Sequence, residues 1–222
     1  VTQKSSGSTL GITKFDSVAT TAENYGKNVG QGVLIERVTS AIGGVTKIVY
    51  GESTDTDFVT DDEIRGTRLL VRSIEQFNGR GGHPRLVSYA YEGGEYSTPR
   101  ERSLGFAKVT ATLPTIGNES VQPSIVGEYR NAFYAQNSLP SFWSYYVNGA
   151  LVRRIDYDYS DVLSGNGPWR SNLSQVKYES WENGIYLQSS SSYAMTSYGE
   201  PSEVRYLGYT LDQIGRASCR ER

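Results

Sequence analysis

Apolar and polar positions alternate along most of this chain in short runs, separated by polar, glycine-rich turns, and almost nowhere follow a helical period. Segment 33–50 (VLIERVTSAIGGVTKIVY) is the clearest unit. Leu34, Glu36 and Val38 alternate against Val33, Ile35 and Arg37, and Ala41-Ile42-Gly43-Gly44 turns the chain. Thr46, Ile48 and Tyr50 then alternate on the return, which predicts a hairpin. A second pair is predicted from Leu69 to Phe77 and from Leu86 to Tyr91, around Asn78-Gly79-Arg80-Gly81-Gly82. Those glycines supply the positive φ that a tight loop needs. A third run, Phe106 to Leu113, ends at Pro114. Segments 142–147 and 150–159 flank Asn148-Gly149, the strongest short hairpin signal in the chain, and 173–181 and 184–193 flank Asn183-Gly184 in the same manner. Ser202 to Tyr206 alternates once more, after Tyr198-Gly199-Glu200-Pro201.

A succession of hairpins predicts an all-β fold: a large sheet, a barrel or a solenoid, with a β-sandwich as the alternative. The spacing is too irregular for a strict short repeat. Segment 1–32 is rich in Ser, Thr and Gly and weakly patterned, so it is expected to be a linker or the truncated end of a preceding domain. Residues 52–63 (ESTDTDFVTDDE) read as a long exposed acidic loop. The chain opens on Val1, and an internal fragment is the expectation. Its last nine residues, Ile214 to Arg222, are expected to be foreign: ATC GGA AGA GCG TCG TGT AGG GAA AGA, which resembles a sequencing adapter, encodes them. The native β region is thereby expected to span 33–213.

Composition narrows the function classes. With 22 Lys+Arg against 24 Asp+Glu, and no basic block, the chain lacks the electrostatics of a nucleic-acid binder. No apolar run reaches the length of a transmembrane helix. Cys219, the only cysteine, lies in the foreign tail, which leaves no disulfide or thiolate chemistry. Tyr is used 17 times, and at alternate strand positions its rings supply wide apolar surfaces with a polar tip.

Each candidate for chemistry has a plainer reading. Asp55, Asp57, Asp61, Asp62 and Glu63 offer oxygens to a hard cation but miss the EF-hand spacing, so a solvated loop is preferred and no metal is expected. Asp156 and Asp158, two apart on one strand face with Ile155, Tyr157 and Tyr159 opposite, could serve glycoside hydrolysis, but acids so placed on one strand more often mark a solvent or lumen face, which is the preferred reading. His83, the sole histidine, sits in a Gly-Gly-His-Pro turn with no Gly-x-Ser-x-Gly elbow to serve. Trp143, Trp169 and Trp181 would suit a sugar-stacking platform, or else core packing. Asn118 and Asn172 match the glycosylation pattern, which is common by chance. No cofactor is implied.

Four passages resemble the RHS/YD-repeat proteins, nearest to the toxin-complex B component and SpvB-like subgroup. The first is the hairpin Leu34-Ile35-Glu36-Arg37-Val38 through Gly43-Gly44 to Tyr50. The second and most specific runs Tyr89-Ala90-Tyr91-Glu92-Gly93-Gly94-Glu95-Tyr96, then Arg102-Ser103-Leu104-Gly105-Phe106. The third is Gly149-Ala150-Leu151 through Arg154 to Tyr157-Asp158-Tyr159, and the fourth is Tyr198-Gly199-Glu200-Pro201. Thr196 and Glu200 depart from the usual Asp and Asn of the repeat, and 115–142 has no counterpart. The resemblance implies a spiralling β-sheet shell around a toxic C-terminal segment and a non-catalytic role in its wall. The named glycines, tyrosines, arginines, Leu104, Leu151 and Phe106 would be structural landmarks. It further implies a secreted or cell-surface bacterial protein. Its partners would be the rest of its own polypeptide, with the enclosed effector and neighbouring repeats, and other toxin-complex subunits.

Overall fold

A computed structural model describes residues 2–5, 8–12, 14–20, 32–62, 67–79, 82–98, 101–115, 120–132, 136, 138–163, 168–182, 185–196 and 200–211. It is all-β. Strands β1 (Thr2–Ser5) and β2 (Ser8–Ile12) pair with each other. One open sheet of 13 strands takes in the rest. These are β3 (Lys14–Thr20), β4 (Gly32–Thr39), β5 (Val45–Glu52), β6 (Val59–Asp62), β7 (Leu69–Phe77), β8 (Arg85–Ser97) and β9 (Arg102–Thr112). There follow β10 (Pro123–Arg130), β11 (Leu139–Val147), β12 (Ala150–Leu163), β13 (Pro168–Glu182), β14 (Ile185–Met195) and β15 (Pro201–Leu211). Order in the sheet is order in the sequence, from β15 to β3, and every pairing is antiparallel except that of β6, which branches off to run parallel to β8. A single sheet of this kind replaces the sandwich alternative.

The expected turns form where the glycines are. Ser40 and Gly44 close the β4–β5 turn through a 2.8 Å backbone bond, with Gly43 at φ 87°. Gly79 and Gly82 take φ 74° and 118° between β7 and β8. Val147 faces Ala150 directly across Asn148 (φ 50°) and Gly149 (φ 77°), a two-residue turn with both φ positive. Asn183-Gly184 lies outside the described residues, as do Tyr198, Gly199 and 212–222; Glu182 pairs with Ile185 on either side of the former.

Three stretches differ from expectation. Within 1–32, Lys14–Thr20 is a sheet strand paired antiparallel with β4, with Phe15 in register with Val38. Within 115–142, β10 fills the sheet between β9 and β11; Gly127 and Glu128 interrupt the apolar alternation that would have revealed it. Over its described residues, 52–62, the acidic segment is not an exposed loop throughout, although Thr54, Thr56, Asp57 and Thr60 are exposed. It folds back over the sheet as a strap, with Phe58 7% and Val59 4% exposed.

Directly opposite residues in an antiparallel pair share a face, so the register sorts the side chains. One row runs Tyr91, Val109, Gly127, Trp143, Ile155, Tyr178 across six strands. The row beside it, on the other face, runs Glu92, Lys108, Glu128, Phe142, Asp156, Lys177. Further along that second face stand Asp16, Arg37, Lys47 and Glu75, so Lys14, Lys47, Lys108 and Lys177 all lie on it. One face is largely aromatic and aliphatic, and the other carries most of the charged residues, of both signs. Register slips recur once or more in most pairs, including Glu95/Tyr96, Glu128/Tyr129, Tyr145/Tyr146 and Asp158/Tyr159. A slip of this kind, where it is a β-bulge, increases the local twist of its strand. Among the described residues the buried aliphatic and aromatic side chains are Phe58, Val59, Leu104 and Val176, and Pro123 is buried completely.

Candidate functional site

Buried and aromatic side chains gather where the sheet forks. β7 pairs with β8 from Ser73 to Gln76, and beyond that β6 takes over the same edge, setting Val59 beside Tyr91 and Asp62 beside Gly94. The Tyr91 N–H donates to the Phe58 carbonyl at 2.8 Å. The Tyr91 ring meets Phe58 edge-on, with centroids 6.0 Å apart, and Phe106 at 5.0 Å. Its hydroxyl donates to the Val71 carbonyl at 2.8 Å, so the one polar atom of the ring is satisfied inside the packing. Burial, helped by the nearby Tyr89, pushes the Tyr91 phenol up to about 12.

Glycines make room for this packing. A Cβ on Gly51 would stand 2.7 Å from the Phe58 ring. Gly93 (φ 64°) and Gly105 (φ 83°) adopt a backbone that L side chains rarely reach, and a Cβ on Gly93 would stand 2.9 Å from that of Ala107. The buried Asn131 amide donates to both their carbonyls, at 3.0 and 3.5 Å. Above Phe58, the Arg72 guanidinium lies 5.5 Å from the ring centroid and pairs with Asp55 at 3.3 Å and Asp57 at 3.7 Å. The acidic strap is therefore tied down through Arg72. Ser53, 2% exposed, accepts the Arg68 N–H at the strap's root.

Of the residues singled out from the sequence, Tyr91, Gly93, Gly94, Leu104, Gly105 and Phe106 come together here. Gly94 stands across from Phe106, and Tyr96 and Arg102 pair with Ser103 and Ser97 at the end of the same hairpin. Tyr89 is half-buried two residues before Tyr91. The others are spread along the sheet. Gly43 and Gly44 shape a turn, and Tyr50 donates to the Ile35 carbonyl at 2.9 Å. Gly149 shapes another turn, Leu151 faces Tyr146, and Tyr157 faces Val176. The sequence reading missed Gly51, Phe58 and Asn131. The Phe-Val pair amid acids was the available signal for the strap; nothing local marks Asn131, whose partners are 26 and 38 residues away.

Two polar clusters flank the aromatic ones. Asp161 accepts from Arg130 at 2.7 Å, Ser171 at 2.5 Å and the buried Gln136 at 2.9 Å, while Arg130 also covers the Tyr159 ring at 5.4 Å. Burial pushes the Asp161 carboxyl up, but the hydrogen bonds of Ser171 and Arg130, the Arg130 charge and Gln136 outweigh it and hold the group low. On the charged face, Arg154 pairs with Asp156 at 2.7 Å and lies 4.1 Å over Phe142. Glu179 joins Lys177 and the Tyr186 hydroxyl, each at 2.5 Å.

The chemical candidates are dispersed by the fold. Asp156 is bound into the Arg154 pair, and Asp158 stands exposed across from Gln175. Trp143 lies on the aromatic face, whereas Trp181 stacks with Tyr186 on the charged face, so these two do not share a sugar-stacking surface. His83 lines an open depression of about 470 Å³ with Phe77 and Arg85. Among the described residues no three of His, Cys, Asp and Glu gather to hold a metal, and no helix is long and apolar enough to cross a membrane.

No protein-family model matches the sequence, and no curated protein matches it. Solved structures do match by shape. A TcdB2-TccC3 crystal structure has a TM-score of 0.64 and 10% identity, covering 85% of this chain and 13% of that one. TcdB2-TccC3 without its hypervariable C-terminal region also scores 0.64 at 10% identity, covering 82% of this chain and 12% of that one. The fold is that of the TcdB2-TccC3 sheet. A chain of the Photorhabdus luminescens Tc holotoxin pore agrees, with a TM-score of 0.64, 9% identity, and 83% and 12% covered. The chain thus spans about an eighth of the length of these TcdB2-TccC3 and holotoxin chains. The toxin-complex resemblance carried by the Tyr-x-Tyr-x-Gly-Gly-x-Tyr passage and this likeness of shape agree on the same all-β fold.

Proposed function

We propose that this chain is a wall segment of an RHS/YD-repeat toxin protein. It would form one stretch of a β-sheet cocoon that encloses a C-terminal effector and helps to deliver it. The observation that carries the reading is the likeness to TcdB2-TccC3 over 85% of the chain. Physical chemistry supports it. A sheet whose strands follow one another in sequence order and carry recurrent register slips is built to continue rather than to close on a small core. The Tyr91 junction, with Gly93, Gly94, Leu104, Gly105 and Phe106, is in this reading a rivet that fixes the path of the wall and does no chemistry. Arg154, Tyr157 and Tyr159 hold neighbouring strands in line. The partners are the remaining repeats and effector of the same polypeptide and other toxin-complex subunits, and the whole is secreted.

The test is to recover the gene on both sides of this segment, express the whole product and image it by electron microscopy. A hollow shell, with this segment in its wall and a C-terminal piece that proteases reach only after denaturation, is the expected result. A solid β protein with no internal space would overturn the proposal.

A further inference from the structure

The β4–β5 and β7–β8 turns meet tip to tip: a Cβ on Gly79 would stand 2.7 Å from the Gly43 carbonyl and 3.0 Å from the Gly44 nitrogen. The register beside them sets Val38, Thr46, Gln76 and Arg85 in one row across four strands, on one face. That row, with Ser40, Phe77 and His83, lines the open depression of about 470 Å³. Small-molecule sites are commonly about 300–1,000 Å³ in volume. The polar part of this wall is made of donors: the Arg85 guanidinium, the Gln76 amide, the His83 ring, and the Ser40 and Thr46 hydroxyls. None of the described residues that line it is acidic. Among the described residues, no hydrogen bond or ion pair engages Arg85 or His83. Ser40 is a separate observation. Its Oγ is buried without a hydrogen-bond partner among the described residues, beside Gly44, where a Cβ would stand 3.0 Å from it. Buried hydroxyls are ordinarily satisfied.

We propose that this depression binds a small phosphate or sulfate monoester. A guanidinium grips an oxyanion through paired N–H bonds, and charge-assisted bonds of this kind are the strong ones. Donor side chains drawn from four strands and two turns suit the three acceptor oxygens of such an ester better than the two of a carboxylate. The ester also gives the Ser40 hydroxyl an acceptor for its proton. The depression is larger than a bare oxyanion fills. Phe77, 39% exposed, supplies with Val38 and Val45 an apolar stretch of wall for the body that carries the group. The abutting glycine turns hold the rim in place, so the donors are set before the ligand arrives. Strands β4, β5, β7 and β8 each have a partner on either side, so the site depends neither on the strands that end the sheet nor on the wall reading.

The experiment is calorimetric titration of the whole gene product with glucose 6-phosphate and glucose 6-sulfate, with inorganic phosphate and glucose as references. At least one ester is expected to bind with a Kd of about 1 mM or tighter, inorganic phosphate about tenfold more weakly because it leaves the Phe77 wall unused, and glucose not at all. Arg85→Ala should weaken the ester by about tenfold or more, and Arg85→Lys by less, since lysine keeps the charge but not the fork. Ser40→Ala should weaken it severalfold without lowering the melting temperature of the unliganded protein, because the hydroxyl has no partner to lose; a serine with only a structural role would show the reverse. Lys177→Ala, on β13, should change nothing. Circular dichroism establishes that each variant keeps its sheet. A folded product that binds neither ester at about 10 mM, inorganic phosphate bound as tightly as the esters, or an affinity that Arg85→Ala and Ser40→Ala leave unchanged would each overturn the proposal.

Discussion

A tyrosine in the middle of a sheet has two unlike ends to satisfy, and Tyr91 satisfies both: its ring packs between Phe58 and Phe106, and its hydroxyl reaches the Val71 carbonyl. Tyr91→Phe removes only the hydrogen bond and leaves the carbonyl unpaired, so it should lower stability by about 1 kcal/mol, measured by urea unfolding. Because burial favours the neutral phenol, the folded value of about 12 lies above the unfolded value near 10. Its contribution is complete below about pH 10 and is lost as pH rises toward 12, where the unfolded chain ionises first. A titration followed by tyrosinate absorbance should show one phenol ionising near the top of that window, absent in Tyr91→Phe. Asp161 works in the opposite direction. Its folded pKa is lowered, so its contribution is present above about pH 4 and is lost as pH falls through the folded value. Asp161→Asn should flatten the acid limb of the stability profile. Asn131→Ala strips a donor from the Gly93 and Gly105 carbonyls and should destabilise by about 1–3 kcal/mol in the same assay.

The strap is the element with most to lose from a single change. Phe58→Ala empties the space over Gly51 and beside Tyr91, and should cost about 3 kcal/mol, with protease cutting appearing within 52–62. Arg72→Ala, at a partly exposed ion pair, should cost less than about 1 kcal/mol and leave the strap in place. Hairpins were the most legible elements, because a two-residue turn writes its demand for positive φ into adjacent letters, as at Asn148-Gly149. The strap was illegible for the complementary reason. Its carboxylates dominate local composition, while what holds it is Phe58 seated against the bare Gly51 and Tyr91, a fit that no local pattern announces. β10 was hidden by Gly127 and Glu128, each of which makes sense only opposite Trp143, Phe142 and Lys108 on the neighbouring strands. Of the site, the Gly-Gly and Leu-Gly-Phe letters were visible and Asn131 was not, since its role rests on contacts made only after the sheet is formed.

Among the described residues, extensive contacts join only hydrogen-bonded neighbouring strands, so stability is a sum over adjacent strands rather than a property of one core. Urea unfolding of the chain should accordingly be broad, with tryptophan fluorescence and circular dichroism giving different midpoints; a single sharp, coincident transition would contradict this additivity. The same layout has a mechanical side. A sheet laid down strand after strand is a zip fastener: a pull on either end loads one pair of strands at a time, across a few hydrogen bonds, and each released strand hands the load to the next. The force needed stays low and nearly constant until the opening reaches β8. There the strap ties β5, β7, β8 and β9 through Phe58, Tyr91 and Phe106, and several strands must yield together. Drawn out thread by thread, the chain would run freely and then catch at that knot.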